Sequence, residues 1–274
     1  MDFLQSIIYG LISGLAEFLP VSAGGHQAIL MKFFGISDAN PICVFFTHLG
    51  CLLAVFFCCR PIFSRLAREF RITATPAKGR RNRDARSVYD LRLLRTAMIP
   101  MLIGLLPYGF TMRLGNNILL LAIFMIINGI MIMVPEYMPL GNKTAKHMST
   151  LDGVGFGIAG ALSAIPGISR LGAINAFGLM RGADREHTLN WAFALSLPAL
   201  LLMLLFDLIG ILSGGFAVTF GLVLCYICAG IMAFFGAYSG ILLIRFLMVR
   251  TGYVGFAYYC WGAAFLALIL YLTV

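Results

Sequence analysis

Two widely separated segments of the chain carry ionisable side chains inside otherwise apolar sequence. Glu17 lies in GLAEFLPVSAGGHQAIL, and Arg170 lies in GALSAIPGISRLGAINAFGLM. Burying a charge away from water is costly, so both residues are candidate functional groups. The planar guanidinium of Arg suits phosphate oxygens. The two residues predict an anion site with an adjacent carboxylate, and a purely structural Glu17–Arg170 ion pair is the alternative.

Further polar and small residues lie on the same two segments. His26 follows Glu17 closely and is a candidate general acid or base, or a phosphate donor, although a single histidine is more often structural. Ser22 and Ser169 can donate hydrogen bonds to phosphate or can cap the helices that follow them. Gly167 comes just before a helix start, where free backbone N–H groups attract anions.

Other charged residues give weaker signals. Asp207, in LLLMLLFDLIG, lies close to a Ser-Gly-Gly turn, and we expect its carboxylate to reach water. For His48, in FFTHLG, the sequence does not define which way the side chain faces. An ordinary interfacial cluster is expected at Arg181, Asp184, Arg185 and Glu186.

The composition excludes an ordinary soluble protein. Of 274 residues, 61% are hydrophobic and 11% are charged, whereas soluble domains average about 25% charged residues. Several charge-free segments approach or exceed the roughly 17–25 residues that cross a bilayer as a helix. These segments are 3–16, 42–59, 96–112, 114–135, 153–169, 208–244 and 251–274. The sequence predicts an all-α polytopic membrane protein.

Basic residues define the expected orientation. Segment 60–95 holds eleven Lys and Arg against three acids, nearly all of the net charge of +9. We interpret it as a cytoplasmic loop under the positive-inside rule, with possible anionic-lipid contact, rather than as a nucleic-acid-binding arm. Alternation then places both termini outside. The expected spans are 42–59, 96–113, 118–135, 189–212, 217–238 and 253–273.

Segments 3–32 and 151–180 remain outside this alternation and resemble each other. Each has an apolar helix, a proline, a small polar turn and a second apolar helix. We interpret each as a re-entrant hairpin, the first entering from outside and the second from the cytoplasm, although two unrelated kinked helices are the alternative. A single membrane domain, 1–274, would then contain inverted repeats at about 1–135 and 151–274, each a hairpin plus about three transmembrane helices.

Four segments of the chain resemble one known family. EFLPVSAGGH and PGISRLGAIN are similar to motifs of the undecaprenyl-diphosphate phosphatase family of the bacitracin-resistance type. HLGCLLAV at 48–55 resembles the family's QLGAILAV, and REHTLNWAFALSLPA at 185–199 resembles SREEAARFSFLLSIPA. The resemblance implies interdigitated inverted repeats and hydrolysis of a C55 polyprenyl diphosphate at the outer face of the cytoplasmic membrane. That reaction regenerates the monophosphate carrier for cell-wall synthesis.

The resemblance implies catalytic roles for Glu17, His26 and Arg170, and substrate binding by Ser22, Gly167, Ser169 and Arg170. It also implies a divalent cation such as Mg²⁺, with Glu17 as its protein ligand. The family's polar positions are replaced at four sites, which are Ser13, Ala23, Leu171 and Ile174.

These replacements leave the nucleophile open. The candidates are the hydroxyl of Ser22 or Ser169, or a water molecule that Glu17 or His26 activates. The alternative function is a non-hydrolytic polyprenyl-phosphate translocator that uses the same anion site. The sequence does not define the oligomeric state.

Overall fold

The computed structural model describes residues 1–36, 40–74, 88–214, 219–250 and 252–273. Within these ranges the chain is helical. The α-helices are α1 (Phe3–Glu17), α2 (Ala23–Phe33), α3 (Pro41–Cys58), α4 (Arg60–Ala74), α5 (Tyr89–Leu105), α6 (Tyr108–Thr111), α7 (Ile118–Met133), α8 (Thr150–Ala161), α9 (Arg170–Met180), α10 (Arg185–Ser213), α11 (Phe220–Arg250) and α12 (Val254–Thr273).

Six helical segments of the described chain are suited to crossing a membrane. Helices α3, α7, α10, α11 and α12 are long and apolar enough, with mean hydropathy from 1.7 to 2.6 over their best windows. Helix α5 and the following Tyr108–Asn116 segment pass the same test together, with a bend of 49° between them. The prediction of an all-α polytopic membrane protein is confirmed, and three of these segments follow each hairpin.

The other apolar segments form two pairs of short helices, each pair a broken helix. Helices α1 and α2 have 15 and 11 residues, and α8 and α9 have 12 and 11. At about 1.5 Å per residue, each is shorter than the roughly 30 Å hydrocarbon core of a bilayer. Both pairs turn back at a Pro-containing segment, after Glu17 in the first and after Ala161 in the second. The two predicted hairpins are therefore present.

The hairpins begin at opposite ends of the helix bundle and are held by the opposite half of the chain. Helix α1 runs along α11, where a Cβ added to Gly10 or Gly14 would collide with the backbone of Ala229 or Ala233. Helix α8 runs in the same way along α5, with Gly157 against the Ala97 carbonyl. Small residues allow this close approach of membrane helices. Each hairpin therefore packs against a helix from the other half of the chain, which agrees with interdigitated inverted repeats. The boundaries of the repeats stay a prediction.

The basic segment 60–95, predicted as a cytoplasmic loop between spans, is helical over most of its described part, and its cytoplasmic placement stays a prediction. Arg60–Ala74 forms α4, and α5 begins at Tyr89; residues 75–87 lie outside the described residues. Helix α4 is amphipathic, with Ile62 buried among the core residues, and the charge count concealed this helical spacing. The Glu69 carboxylate accepts a hydrogen bond from the Leu91 N–H at 2.9 Å and so joins α4 to α5. Burial raises the pKa of this Glu69 carboxyl group.

Candidate active site

The tips of the two hairpins meet inside the bundle, and Asn128 on α7 joins them. Its Nδ2 donates to the Pro20 carbonyl at 3.0 Å, and its Oδ1 accepts from the Ser169 N–H at 2.9 Å. Asn128 is fully buried. Because both hairpin turns expose backbone groups that helix hydrogen bonds do not use, one amide side chain can satisfy one group from each turn.

Ser22 and Ser169 reinforce this junction. Ser22 has a φ of 68°, and its Oγ accepts from the Gly25 N–H at 3.2 Å and from the Gly167 N–H at 3.0 Å. The Ser169 Oγ accepts from the Gly172 N–H at 3.1 Å and donates to the Leu19 carbonyl at 3.1 Å. Each serine caps the helix that follows it and binds the other hairpin. The Gly167 N–H is consequently used within the protein.

Arg170 and Glu17 form a buried ion pair between the hairpins. The Arg170 Nη2 donates to the Glu17 Oε1, and the two side chains are 3% and 10% exposed. Arg170 Nη1 contacts the Met203 sulfur at 3.8 Å, while its Nε has no hydrogen-bond partner within the described chain. A buried guanidinium with an unused donor can still bind an anion that reaches it.

A small cavity of about 30 Å³ adjoins this pair. Its lining includes Glu17, Arg170 and His48. Since a water molecule needs at least about 10–15 Å³, the cavity has room for one or two waters. Gly24, Gln27, Tyr108 and Met112 line both this inner cavity and an outer cavity of about 710 Å³. The buried pair therefore lies behind a much larger chamber.

The outer cavity lies at the end of the bundle where α3 begins and α10 ends. Pro41 and Gly210 contribute to its lining from those two helix ends. Lys32 and Arg113 are also part of the lining. Two cationic side chains at a partly apolar opening favour the entry of an anion.

His26 does not join Glu17 and Arg170 in the inner cavity. Its Nδ1 is 2.7 Å from the Ser22 carbonyl, and its Nε2 is 2.8 Å from the Tyr259 hydroxyl. The imidazole also stacks on the Tyr259 ring, with 5.6 Å between centroids. The next residue, Gln27, lines the inner cavity in its place. One step along a helix turns a side chain by about 100°, so sequence proximity alone did not define the face.

His48 and Asp207 form a second buried pair beside the site. The His48 Nδ1 is 2.6 Å from the Asp207 Oδ2, and the side chains are 4% and 9% exposed. His48 lines the inner cavity, and Asp207 lines the outer one. The expectation that the Asp207 carboxylate reaches water is wrong, because α3 packs against α10 and supplies this histidine as its partner.

The described residues do not form a metal site by themselves. They contain no group of three or more His, Cys, Asp and Glu side chains suited to holding a metal ion. Glu17 is bound by Arg170, and Ser13 supplies only a buried hydroxyl next to Tyr9. Mg²⁺ prefers octahedral coordination by several oxygen ligands. Divalent-cation binding stays a prediction, and it would require oxygen ligands from a bound substrate.

Sequence reasoning missed three residues of this site. Asn128 is the single strongly polar side chain of ILLLAIFMIINGIMIM, which is a usable signal because polar groups in membrane helices usually bind neighbouring helices. Gln27 and Tyr108 line both cavities but lie near helix ends in mixed sequence, where composition gives no comparable signal.

The fold and this junction define a class of integral membrane protein, in which opposed broken helices hold a buried Arg–carboxylate pair behind a cationic cavity. The chain belongs to the bacitracin resistance protein family, because the sequence model of that family, described as "Bacitracin resistance protein BacA", matches residues 6–266.

Named relatives agree with this assignment. The chain is 31% identical over 272 residues to an undecaprenyl-diphosphatase of a Nocardioides species, covering 98% of this chain and 97% of the relative. It is 30% identical over 272 residues to an undecaprenyl-diphosphatase of Syntrophotalea carbinolica, covering 98% and 99%. A Mycobacterium undecaprenyl-diphosphatase is 34% identical over 210 residues, covering 76% and 74%.

Proposed function

We propose that the protein hydrolyses undecaprenyl diphosphate to undecaprenyl phosphate and inorganic phosphate. This reaction would recycle the lipid carrier for cell-wall synthesis and confer bacitracin resistance. The observation that carries the proposal is Arg170, buried at the junction of the two hairpins with an unused Nε donor beside a cavity. The relatives' name, undecaprenyl-diphosphatase, supports the same substrate.

We place the head group of this substrate in the outer cavity, with its terminal phosphate directed toward the inner one. Lys32 and Arg113 attract the diphosphate into the outer cavity, whose volume of about 710 Å³ is sufficient for a head group. The terminal phosphate then approaches Arg170 past Gln27 and Tyr108, which line both cavities. A guanidinium can donate two parallel hydrogen bonds to phosphate, and the buried setting strengthens them. Arg170 thereby stabilises the charge on the phosphoryl group in the transition state.

Water is the nucleophile that this geometry favours. Ser22 Oγ accepts two backbone hydrogen bonds, and Ser169 Oγ is bonded to Gly172 and Leu19, so attack by either would dismantle the junction. Ala23 lines the inner cavity and has no hydroxyl. The cavity has room for water beside Glu17.

Glu17 is the candidate general base within the cavity. Its Oε1 binds Arg170, and its Oε2 has no hydrogen-bond partner within the described chain. Water oxygen forms a bond to the terminal phosphorus, and the bond from phosphorus to the bridging oxygen breaks. Glu17 takes the proton of the water, and the electron pair of the broken bond leaves with undecaprenyl phosphate.

The proposal includes a location and an orientation. The protein lies in the cytoplasmic membrane with both termini and the outer cavity on the external side, where the spent carrier is released. The exposed basic side chains of α4 then face the cytoplasm, where they can contact anionic lipids, with no nucleic-acid partner. Substrate phosphates, with Glu17, are the ligands that a divalent cation would use.

Phosphate release from purified protein tests the proposal. The substrate is undecaprenyl diphosphate in detergent micelles, with separate Mg²⁺ and EDTA arms. We expect hydrolysis by the wild type and a loss of about 10²-fold or more in kcat/KM for Arg170→Lys, since lysine keeps the charge but loses the paired donors.

Arg181→Lys is the matched control, because Arg181 also pairs with a carboxylate, Asp152, but outside both cavities. We expect that variant to hydrolyse at the wild-type rate. Lipid binding that depends on Arg170 without phosphate release at any Mg²⁺ concentration would contradict the proposal and favour the translocator instead.

A further inference from the structure

Resting on the proposed phosphatase activity, we propose that His48 is a further catalytic residue of this chain beside Glu17 and Arg170, the general acid for the departing lipid phosphate, and that Asp207 positions it. The proposal starts from three observations about the buried pair. His48 lines the inner cavity with Glu17 and Arg170. Its Nδ1 is bound by Asp207 at 2.6 Å. Within the described chain, no hydrogen bond reaches its Nε2.

The hydrogen bond to Asp207 fixes which ring nitrogen is available. A carboxylate on Nδ1 orients the imidazole and stabilises its protonated form, which leaves Nε2 as the donor toward the cavity. The separation of 2.6 Å between Nδ1 and Oδ2 is short, and charge-assisted hydrogen bonds are shorter than neutral ones. This arrangement differs from that of His26, whose two ring nitrogens are both occupied by Ser22 and Tyr259.

The position of the pair matches the side from which the substrate enters. Asp207 lines the outer cavity. His48, which binds Asp207, lines the inner cavity together with Glu17 and Arg170. A terminal phosphate on Arg170 has its bridging oxygen and lipid directed outward. The leaving group therefore passes His48, whereas the attacking water lies beside Glu17.

The two roles complete one proton balance. Glu17 takes a proton from water as the new oxygen–phosphorus bond forms. His48 Nε2 gives a proton to the bridging oxygen as its bond to the terminal phosphorus breaks. Undecaprenyl phosphate and inorganic phosphate leave, and proton exchange with solvent restores both side chains for the next cycle.

The chain also shows why an additional group is useful here. The family motif has an acid where this chain has Ser13, and a hydroxyl where it has Ala23. The corresponding family run begins with Gln where this chain has His48. An amide can hydrogen-bond to phosphate but cannot transfer a proton at neutral pH. His48 therefore adds a proton donor to a cavity in which Ala23 stands at the position of the family's hydroxyl.

Two amide variants separate proton transfer from structure. His48→Asn places an amide N–H where Nδ1 lies and can keep the contact with Asp207. His48→Gln extends its amide toward the position of Nε2. Neither transfers a proton, so we expect both to lower kcat by about 10²-fold or more, with KM within about threefold of wild type. A purely structural role predicts instead that His48→Asn retains the wild-type kcat.

Asp207→Asn tests the positioning role. We expect a smaller loss of kcat than in His48→Asn, and no further loss when the two substitutions are combined, because Asp207 acts through His48. Additive losses in the double variant would overturn this part of the proposal.

A second His–Asp pair in the chain provides the control. His187 Nδ1 lies 3.1 Å from Asp184 Oδ1 at the beginning of α10, outside both cavities. His187→Gln and Asp184→Asn should keep the wild-type kcat, since Asn also caps a helix. Thermal unfolding and gel-filtration profiles verify that each variant is folded.

The outcomes distinguish the two proposals. If the wild type releases no phosphate, the proposed phosphatase function fails. If the wild type is active and folded His48→Asn and His48→Gln proteins match it, the function stands and the role of His48 is refuted. A rise in KM with an unchanged kcat would also refute the general-acid role, because it would indicate binding alone.

Discussion

Replacing Asn128 with leucine tests whether the junction of the hairpins controls activity. Leucine has a similar volume but cannot bond to the Pro20 carbonyl or the Ser169 N–H. Side-chain hydrogen bonds between membrane helices contribute about 0.6 kcal/mol on average and about 1.7 kcal/mol at most. Losing both hydrogen bonds therefore weakens the contact between the two hairpin tips by about 1–3 kcal/mol. Because about 1.4 kcal/mol corresponds to a factor of ten, we expect the aligned arrangement of the hairpin tips to be disfavoured by about 5–150-fold relative to misaligned ones, and kcat/KM to fall with the aligned fraction.

The assay combines phosphate release with thermal unfolding of the same purified sample. Ser196→Ala is the matched control, because Ser196 is also buried in a membrane-spanning helix, and among the described residues its hydroxyl bonds only to Ala192 of its own helix. We expect that variant to keep its activity. An Asn128→Leu protein with wild-type kcat/KM would refute the reasoning that this amide holds the two hairpin tips in register.

Three further outcomes follow from the site. Ala23→Ser should preserve or increase phosphate release, because Ala23 lines the cavity. Ile174→Thr should lower the unfolding temperature, because it places a hydroxyl in the core. Loss of phosphate release in Ala23→Ser together with an unchanged unfolding temperature in Ile174→Thr would contradict this packing. Glu17→Gln should lower kcat by about 10²-fold or more with a smaller change in KM, and equal losses in binding and turnover would indicate a structural role. With the chain's seven native cysteines replaced, an impermeant thiol reagent added to intact cells should label Asn116→Cys but not Lys143→Cys. The reverse pattern would refute the orientation.

Much of the fold could be predicted because membrane insertion imposes strong constraints on sequence. Long charge-free runs identified the spanning segments, and the Pro-containing turns identified both broken helices. The helical structure within segment 60–95 was missed for a specific reason. Counting charges gave the correct identity of a basic segment but ignored the helical spacing of Ile62 and Leu66, which places apolar side chains on one face of α4.

The site was less accessible to sequence reasoning, because facing directions and distant partners decide it. Glu17 and Arg170 were paired correctly since both were isolated charges. His26 and Gln27 are neighbours in sequence, yet only Gln27 lines the cavity. The contact between His48 and Asp207 depends on the packing of α3 against α10, which joins residues 159 positions apart.

The crossed packing of α1 against α11 has a consequence for biosynthesis. Gly14 leaves the ribosome well before its partner Ala233, which is made about 220 residues later. At about 5–20 residues per second, the interval is about 10–45 seconds. During that time the glycine face of α1 has only lipid, or another protein, as a neighbour. A newly made first half should therefore be a target for membrane chaperones and proteases, and its survival should depend on how fast translation reaches α11.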